Sequence, residues 1–203
     1  MTDHSQKVFI VDDDISVRDS LDFLLKSVNL ESESFRSGDE FLAAYKAEWE
    51  GCILLDIRMP GISGMEVQRQ LSEVDCSLPI IFITGHGDIS MAVEAMQLGA
   101  HDFIQKPFHD QVLLDKIQAA LALRRETQDE AEQIRTIQKN YSTLTPRETE
   151  VMSAVAKGLA NKVIAMDLNL SQRTVEIHRA RVMEKMHVRS LAELVKLAVK
   201  LEG

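Results

Sequence analysis

Two fold classes follow one another in this chain. The first is α/β, a doubly wound five-stranded parallel sheet. The second is all-α, four short helices reached through one long linker helix. Three observations predict this. Short apolar runs alternate with helical patterns through the first 124 residues. No glycine lies between Gly99 and Gly158 and no proline between Pro107 and Pro146. From Leu144 onward only helical periodicity remains. The domains therefore read as 1–124, a linker helix over 125–141 and a helical domain over 142–203.

Each element has its own signal. Strand-like runs lie near 7–11, 32–35, 52–56, 79–83 and 102–105. Asp14 is placed to cap the first helix, where Val17, Leu21, Leu24, Leu25 and Val28 recur at helical spacing. Met91, Ala92, Ala95, Met96 and Leu98 mark a later helix that Gly99 stops. A helix from about Asp110 to Asn140 carries an apolar stripe at Leu113, Ile117 and Leu121. The stripe thins at Ala131 and resumes at Ile134, Ile137 and Tyr141. The resumed part has nothing local to pack on, which calls for a partner helix; a solvated tether is the alternative. Thr145-Pro146-Arg147-Glu148 is a capping box with proline at the first helical position, and Gly158 ends that helix. Asn161 is expected to cap a short helix through Leu168. Ser171 is expected to cap another, carrying Thr174, Val175, His178, Val182 and Met186. A last helix carries Leu191, Leu194, Val195, Ala198 and Leu201.

Composition narrows the function classes. Of 203 residues 45% are hydrophobic and 27% charged, as in globular proteins. No run of 18 apolar residues occurs, so no membrane partner is expected. Residues 1–7 lack the apolar core of an export signal, and Cys52 and Cys76 form no pattern. Free thiols and a cytoplasmic location are the expectation. The net charge of −9 hides an asymmetry. Residues 1–123 hold 9 Lys and Arg against 21 Asp and Glu, whereas residues 141–203 hold 10 against 7. Any nucleic acid belongs to the second half.

The strand ends carry the chemistry. Ligands of open α/β sheets bind beyond the strands' carboxyl ends. There Val8-Phe9-Ile10-Val11 runs into Asp12-Asp13-Asp14, and Cys52-Ile-Leu-Leu into Asp56. Ile80-Ile81-Phe82-Ile83 ends in Thr84, and Phe103-Ile104-Gln105 in Lys106-Pro107. If these strands are parallel neighbours, three carboxylates, a hydroxyl and an ammonium converge on one edge. That inventory suits Mg²⁺ and an aspartyl phosphate. Taken singly each residue is ordinary: an aspartate after a strand is usually a turn or a cap. His86 and His101 read as surface residues, with His86 close enough to Thr84 to tune its surroundings.

Val-Asp-Asp-Asp, Leu-Leu-Asp-Ile-Arg-Met-Pro-Gly, Ile-Thr-Gly-His-Gly-Asp and Lys-Pro-Phe, in this order, resemble a response-regulator receiver domain over about residues 5–124. The resemblance implies that Asp12 and Asp13 bind Mg²⁺ and that Asp56 is both phospho-acceptor and metal ligand. Arg58 would lend a backbone carbonyl to the metal. Thr84 and Lys106 would hold the phosphoryl group, and Thr84 and Phe103 would act as the switch. A cis bond before Pro107 is also implied. The segment from Leu144-Thr-Pro-Arg-Glu to Val188-Arg-Ser resembles a LuxR-type helix-turn-helix. Together the two resemble the NarL/FixJ class of two-component response regulators, leaning to FixJ. That class implies a sensor histidine kinase, double-stranded promoter DNA and RNA polymerase as partners, a homodimer on phosphorylation, and transcription regulation by activation.

In that helix-turn-helix the recognition helix enters the major groove. Glu176, Ile177 and Ala180 match base-reading positions. Glutamate can accept from cytosine N4, and apolar groups can touch a thymine methyl. Lys162, Arg173, Thr174, Arg179, Arg181 and Lys185 are expected on the backbone, where affinity falls with salt. His178 is expected to touch the backbone or, alternatively, to pack inward. A phosphatase or phosphotransferase with an aspartyl intermediate of the haloacid-dehalogenase type is the rival reading. Its second aspartate, two residues after the nucleophile, is missing; Arg58 stands there. The chain is therefore not expected to be an enzyme beyond phosphorylating and dephosphorylating its own aspartate.

Overall fold

A computed structural model of the chain describes residues 6–85 and 89–202. The chain divides into two compact units between Thr127 and Gln128.

The first unit is a parallel sheet with helices on both faces. Its strands are β1 (Lys7–Val11), β2 (Glu31–Phe35), β3 (Gly51–Asp56), β4 (Ile80–Thr84) and β5 (Asp102–Gln105). Their spatial order is β2-β1-β3-β4-β5, the doubly wound arrangement expected. The helices between them are α1 (Ile15–Ser27), α2 (Gly38–Ala44), α3 (Gly64–Glu73) and α4 (Ile89–Gln97), and α5 (Asp110–Tyr141) follows β5. Side chains alternate across the sheet. Val8, Ile10, Cys52, Leu54, Ile81, Ile83 and Ile104 pack under α1 and the start of α5. Phe9, Val11, Ile53, Leu55 and Phe82 pack under α2, α3 and α4. All six residues of β3 are buried, which is why that strand reads as an unbroken apolar run closed by an aspartate.

The caps follow the sequence. Asp14 accepts from the Ser16 amide at 2.8 Å and starts α1. Gly99 ends α4 in the left-handed region at φ 88°. The apolar set expected on α4 is only half used: Ala95 is buried, whereas Met96 is 47% exposed.

In the second unit α6 (Pro146–Ala156), α7 (Asn161–Asp167), α8 (Gln172–Lys185) and α9 (Leu191–Glu202) enclose one core with the end of α5. The capping box at Thr145 and Glu148 is complete, and Ser171 caps α8. Two expectations are corrected. Asn161 does not cap α7; Ala160 holds the cap position, with no side-chain bond. Nor does the far part of α5 lack a local partner. Ile137 is buried with Val151, Val155 and Leu194, and residues 128–141 group with the second unit. Ile134 remains 38% exposed. No helix among the described residues is long and apolar enough to cross a membrane.

Candidate functional site

The register of the sheet places the acidic edge. Val11 lies beside Leu55, Asp56 beside Ile83, and Thr84 beside Gln105. Asp12, Asp56, Thr84 and Lys106 thus leave adjacent strands at the same end. Asp12, Asp56 and Thr84 are buried. Lys106 Nζ donates to Asp12 Oδ2 at 2.7 Å and to Asp56 Oδ1 at 3.2 Å. The second oxygens are held by backbone. Asp12 Oδ1 accepts from the Asp14 amide at 2.9 Å, and Asp56 Oδ2 from the Arg58 amide at 2.7 Å. The Lys106 amide donates to the Thr84 carbonyl at 2.8 Å, and the Lys106–Pro107 bond is cis, as expected. The turn after Asp56 is close-packed: a Cβ on Gly64 would lie 2.2 Å from the Asp56 carbonyl oxygen.

The electrostatics single out Asp56. Burial pushes its carboxyl up, the Lys106 charge opposes this, and Asp12 adds to it. Burial by itself would lower the Lys106 ammonium; the bond and charge of Asp12, then Asp56, outweigh it and raise it. Asp12 is the closer partner of the two. Asp56 is therefore the carboxylate with the more weakly compensated charge, poised to gain from a further cation.

The expected convergence of three carboxylates takes a different form. Asp12 and Asp56 meet around Lys106, while Asp13 is exposed beside them. No group of three His, Cys, Asp or Glu is gathered as a metal cage among the described residues. Mg²⁺ needs no such cage. It takes one or two carboxylates and keeps several waters, so this hard-oxygen set fits it. Phe103 is half-buried and packs on the cluster that includes Met91 and Ala95 of α4. His86 and Asp88 lie outside the described residues.

The second candidate surface is α8. Arg173, Glu176, Ile177, Ala180 and Arg181 are exposed at helical spacing on one face, opposite buried Val175 and Val182. Lys162 is exposed at the start of α7, and Thr174 is half-buried. His178 is half-buried, and its Nδ1 is buried with no hydrogen-bond partner among the described residues. Arg179 Nη1 donates to Asn161 Oδ1 at 3.1 Å. Lys185 has partners within its own unit. Its Nζ donates to Glu148 Oε2 at 2.6 Å and to the Thr143 carbonyl at 2.9 Å, so its charge is engaged inside the unit. Glu148 is buried, and the Lys185 bond, then the Thr145 amide, hold its carboxyl down at about 2. Glu148 and Lys185 stand 37 residues apart, and no local pattern links them.

Comparison with known proteins bears on both sites. Residues 8–118 match the response regulator receiver domain and residues 142–198 the luxR family of bacterial regulatory proteins. Nodulation protein W of Bradyrhizobium diazoefficiens is 46% identical over 191 residues, 94% of this chain and 84% of that one. The transcriptional regulatory protein FixJ of Azorhizobium caulinodans is 44% identical over 195 residues, 96% of this chain and 92% of that one. Among solved structures the response regulator StyR shares 45% identity at a TM-score of 0.87, covering 97% of this chain and 99% of that one.

Proposed function

The chain belongs to the response regulators that join a receiver domain to a LuxR-type DNA-binding domain, the NarL/FixJ class, and is a transcriptional response regulator; from this we propose how its own residues work. Asp56 accepts a phosphoryl group from a sensor histidine kinase, and this controls dimerisation and binding to promoter DNA. The observation that carries the reading is Asp56 itself, buried at the end of β3 with Lys106 3.2 Å away and Asp12 on the same ammonium.

In the transfer an Asp56 carboxylate oxygen attacks phosphorus, a P–O bond forms, and the P–N bond to the kinase histidine breaks. Mg²⁺, when bound, supplies charge for the phosphoryl oxygens. Asp12, Asp13 and Asp56 are its proposed side-chain ligands, with the Arg58 carbonyl as a further donor. Lys106 leaves its bond to Asp56 and pairs with the new phosphoryl oxygens. Thr84 turns to the same group, and Phe103 fills the space it vacates on the α4 side, changing the face between α4 and β5. Acting only on its own aspartate, the receiver is a switch rather than a metabolic enzyme. The location is cytoplasmic, and RNA polymerase is a further partner.

On DNA, α8 lies in the major groove with Glu176, Ile177 and Ala180 towards the bases. Arg173, Thr174, Arg179, Arg181 and Lys162 face phosphates. The test measures mass by light scattering and affinity for promoter duplexes, with and without beryllofluoride plus Mg²⁺. A shift to dimer and tighter binding are expected. Unchanged mass and unchanged affinity would overturn the proposal.

A further inference from the structure

The start of α7 is unusual in what it leaves undone. No side chain caps its first amides, although Asn161 stands one residue after the cap position. An uncapped start loses measurable stability, and asparagine is among the best caps. Asn161 spends its side chain elsewhere, on Arg179 of α8. Both residues are half-buried. The bond ties the first helix of the helix-turn-helix to the second across 18 residues of chain.

Arg179 occupies a flank of α8. It lies between buried Val175 and Val182 on one side and exposed Glu176 and Ala180 on the other. A guanidinium offers five donors in a rigid plane. One donor on Asn161 fixes that plane and leaves the others available. A mobile arginine must surrender rotamer freedom when it binds a phosphate, and a held one has already done so.

We infer that Asn161 is a positioning residue, which holds the Arg179 guanidinium oriented for a DNA phosphate. The inference rests on the reading of α8 as the recognition helix. It carries a signature that distinguishes ordering from contact. Removing Asn161 leaves the charge of Arg179 in place, so the number of counterions displaced from DNA is unchanged. Affinity falls while the salt dependence does not.

The experiment titrates the full chain with a mixed-sequence duplex over a range of salt, because phosphate contacts are independent of sequence. Asn161→Ala is expected to weaken binding about two- to tenfold at an unchanged salt slope. Arg179→Ala should weaken binding and lower the slope by about one. The double variant should match Arg179→Ala. An equal further loss from Asn161→Ala in the Arg179→Ala background, or a lower slope for Asn161→Ala alone, would overturn the inference, because Asn161 would then act on DNA directly. If Arg179→Ala leaves affinity and slope untouched, the placement of Arg179 on DNA fails and the inference falls with it. A readout in the free protein separates ordering from loss of fold. Side-chain nitrogen NMR relaxation at Arg179 Nε should show an ordered guanidinium in the wild type and in Asn161→Asp, which keeps the acceptor, and a mobile one in Asn161→Ala. Equal mobility in all three also overturns it.

Discussion

Replacing Lys185 with methionine separates two roles that its position on α8 leaves open. Methionine keeps the length and the apolar stem and removes the ammonium. The carboxylate left behind is Glu148, 2% exposed and held then by Thr145, whose amide donates to it at 2.8 Å. The fall of the Glu148 carboxyl from 4.5 to about 2 corresponds to at most about 3 kcal/mol. Lys185 is itself 33% exposed, and water screens part of that interaction. We expect a loss of about 2 kcal/mol in the second unit. The pH dependence has a definite sign. The folded carboxyl lies below its unfolded value, so its contribution is complete above pH 4.5 and drains away as pH falls towards 2. Lys185→Met should flatten that decline. Hydrogen exchange of α6 and α8 amides in the full chain reads this unit apart from the receiver. DNA affinity measured against salt should keep its slope. Unchanged exchange together with a slope lower by about one would refute the reasoning and return Lys185 to the phosphates.

Asp13→Ala should weaken Mg²⁺ binding in calorimetry. Trp49 should report that binding poorly, because it stacks on Phe9 at 4.3 Å just before β3 starts, whereas Asp56 ends that strand. Ile137→Ala should cost the second unit about 2–5 kcal/mol, read by hydrogen exchange, and Ile134→Ala much less, since only Ile137 is buried. Asp56→Asn should stabilise the Mg²⁺-free receiver at neutral pH in urea titrations, since burial raises the Asp56 carboxyl and makes its ionised form costly. That gain should vanish as pH falls below the ordinary aspartate value of 3.8.

Much of the molecule is legible in local signals. The apolar run Cys52–Leu55 reads as a buried strand with its closing aspartate at the sheet edge, and all six residues of β3 are buried. The capping box at Thr145 and the cap at Ser171 fix the starts of α6 and α8 with no tertiary information. The outward face of α8 follows from periodicity once Val175 and Val182 point inward. What stayed hidden depends on long-range contact. Ile137 looked unpartnered because the residues that cover it, Val151, Val155 and Leu194, come later in the chain. Lys185 looked like one more surface cation because Glu148 lies far away in sequence. Asn161 looked like a cap because the signal for a cap is one of residue type, and its side chain found Arg179 instead. At the acidic edge residue types identify Asp12, Asp56, Thr84 and Lys106. Only the fold shows that Lys106 bridges two of the carboxylates while Asp13 stays exposed.

Asp56 is the proposed phospho-acceptor, buried at the end of β3 beside Lys106. Intact-mass measurement after incubation with a small phosphodonor and Mg²⁺ tests it most directly, run on wild type, Asp56→Asn and Lys106→Met. The wild type should gain one phosphoryl group, labile as acyl phosphates are, and Asp56→Asn none. Lys106→Met should still accept the group on Asp56 if the ammonium only pairs with it afterwards. A phosphoryl group gained by Asp56→Asn at the wild-type rate would contradict the account, because the buried carboxylate beside Lys106 would then not be the group that reacts.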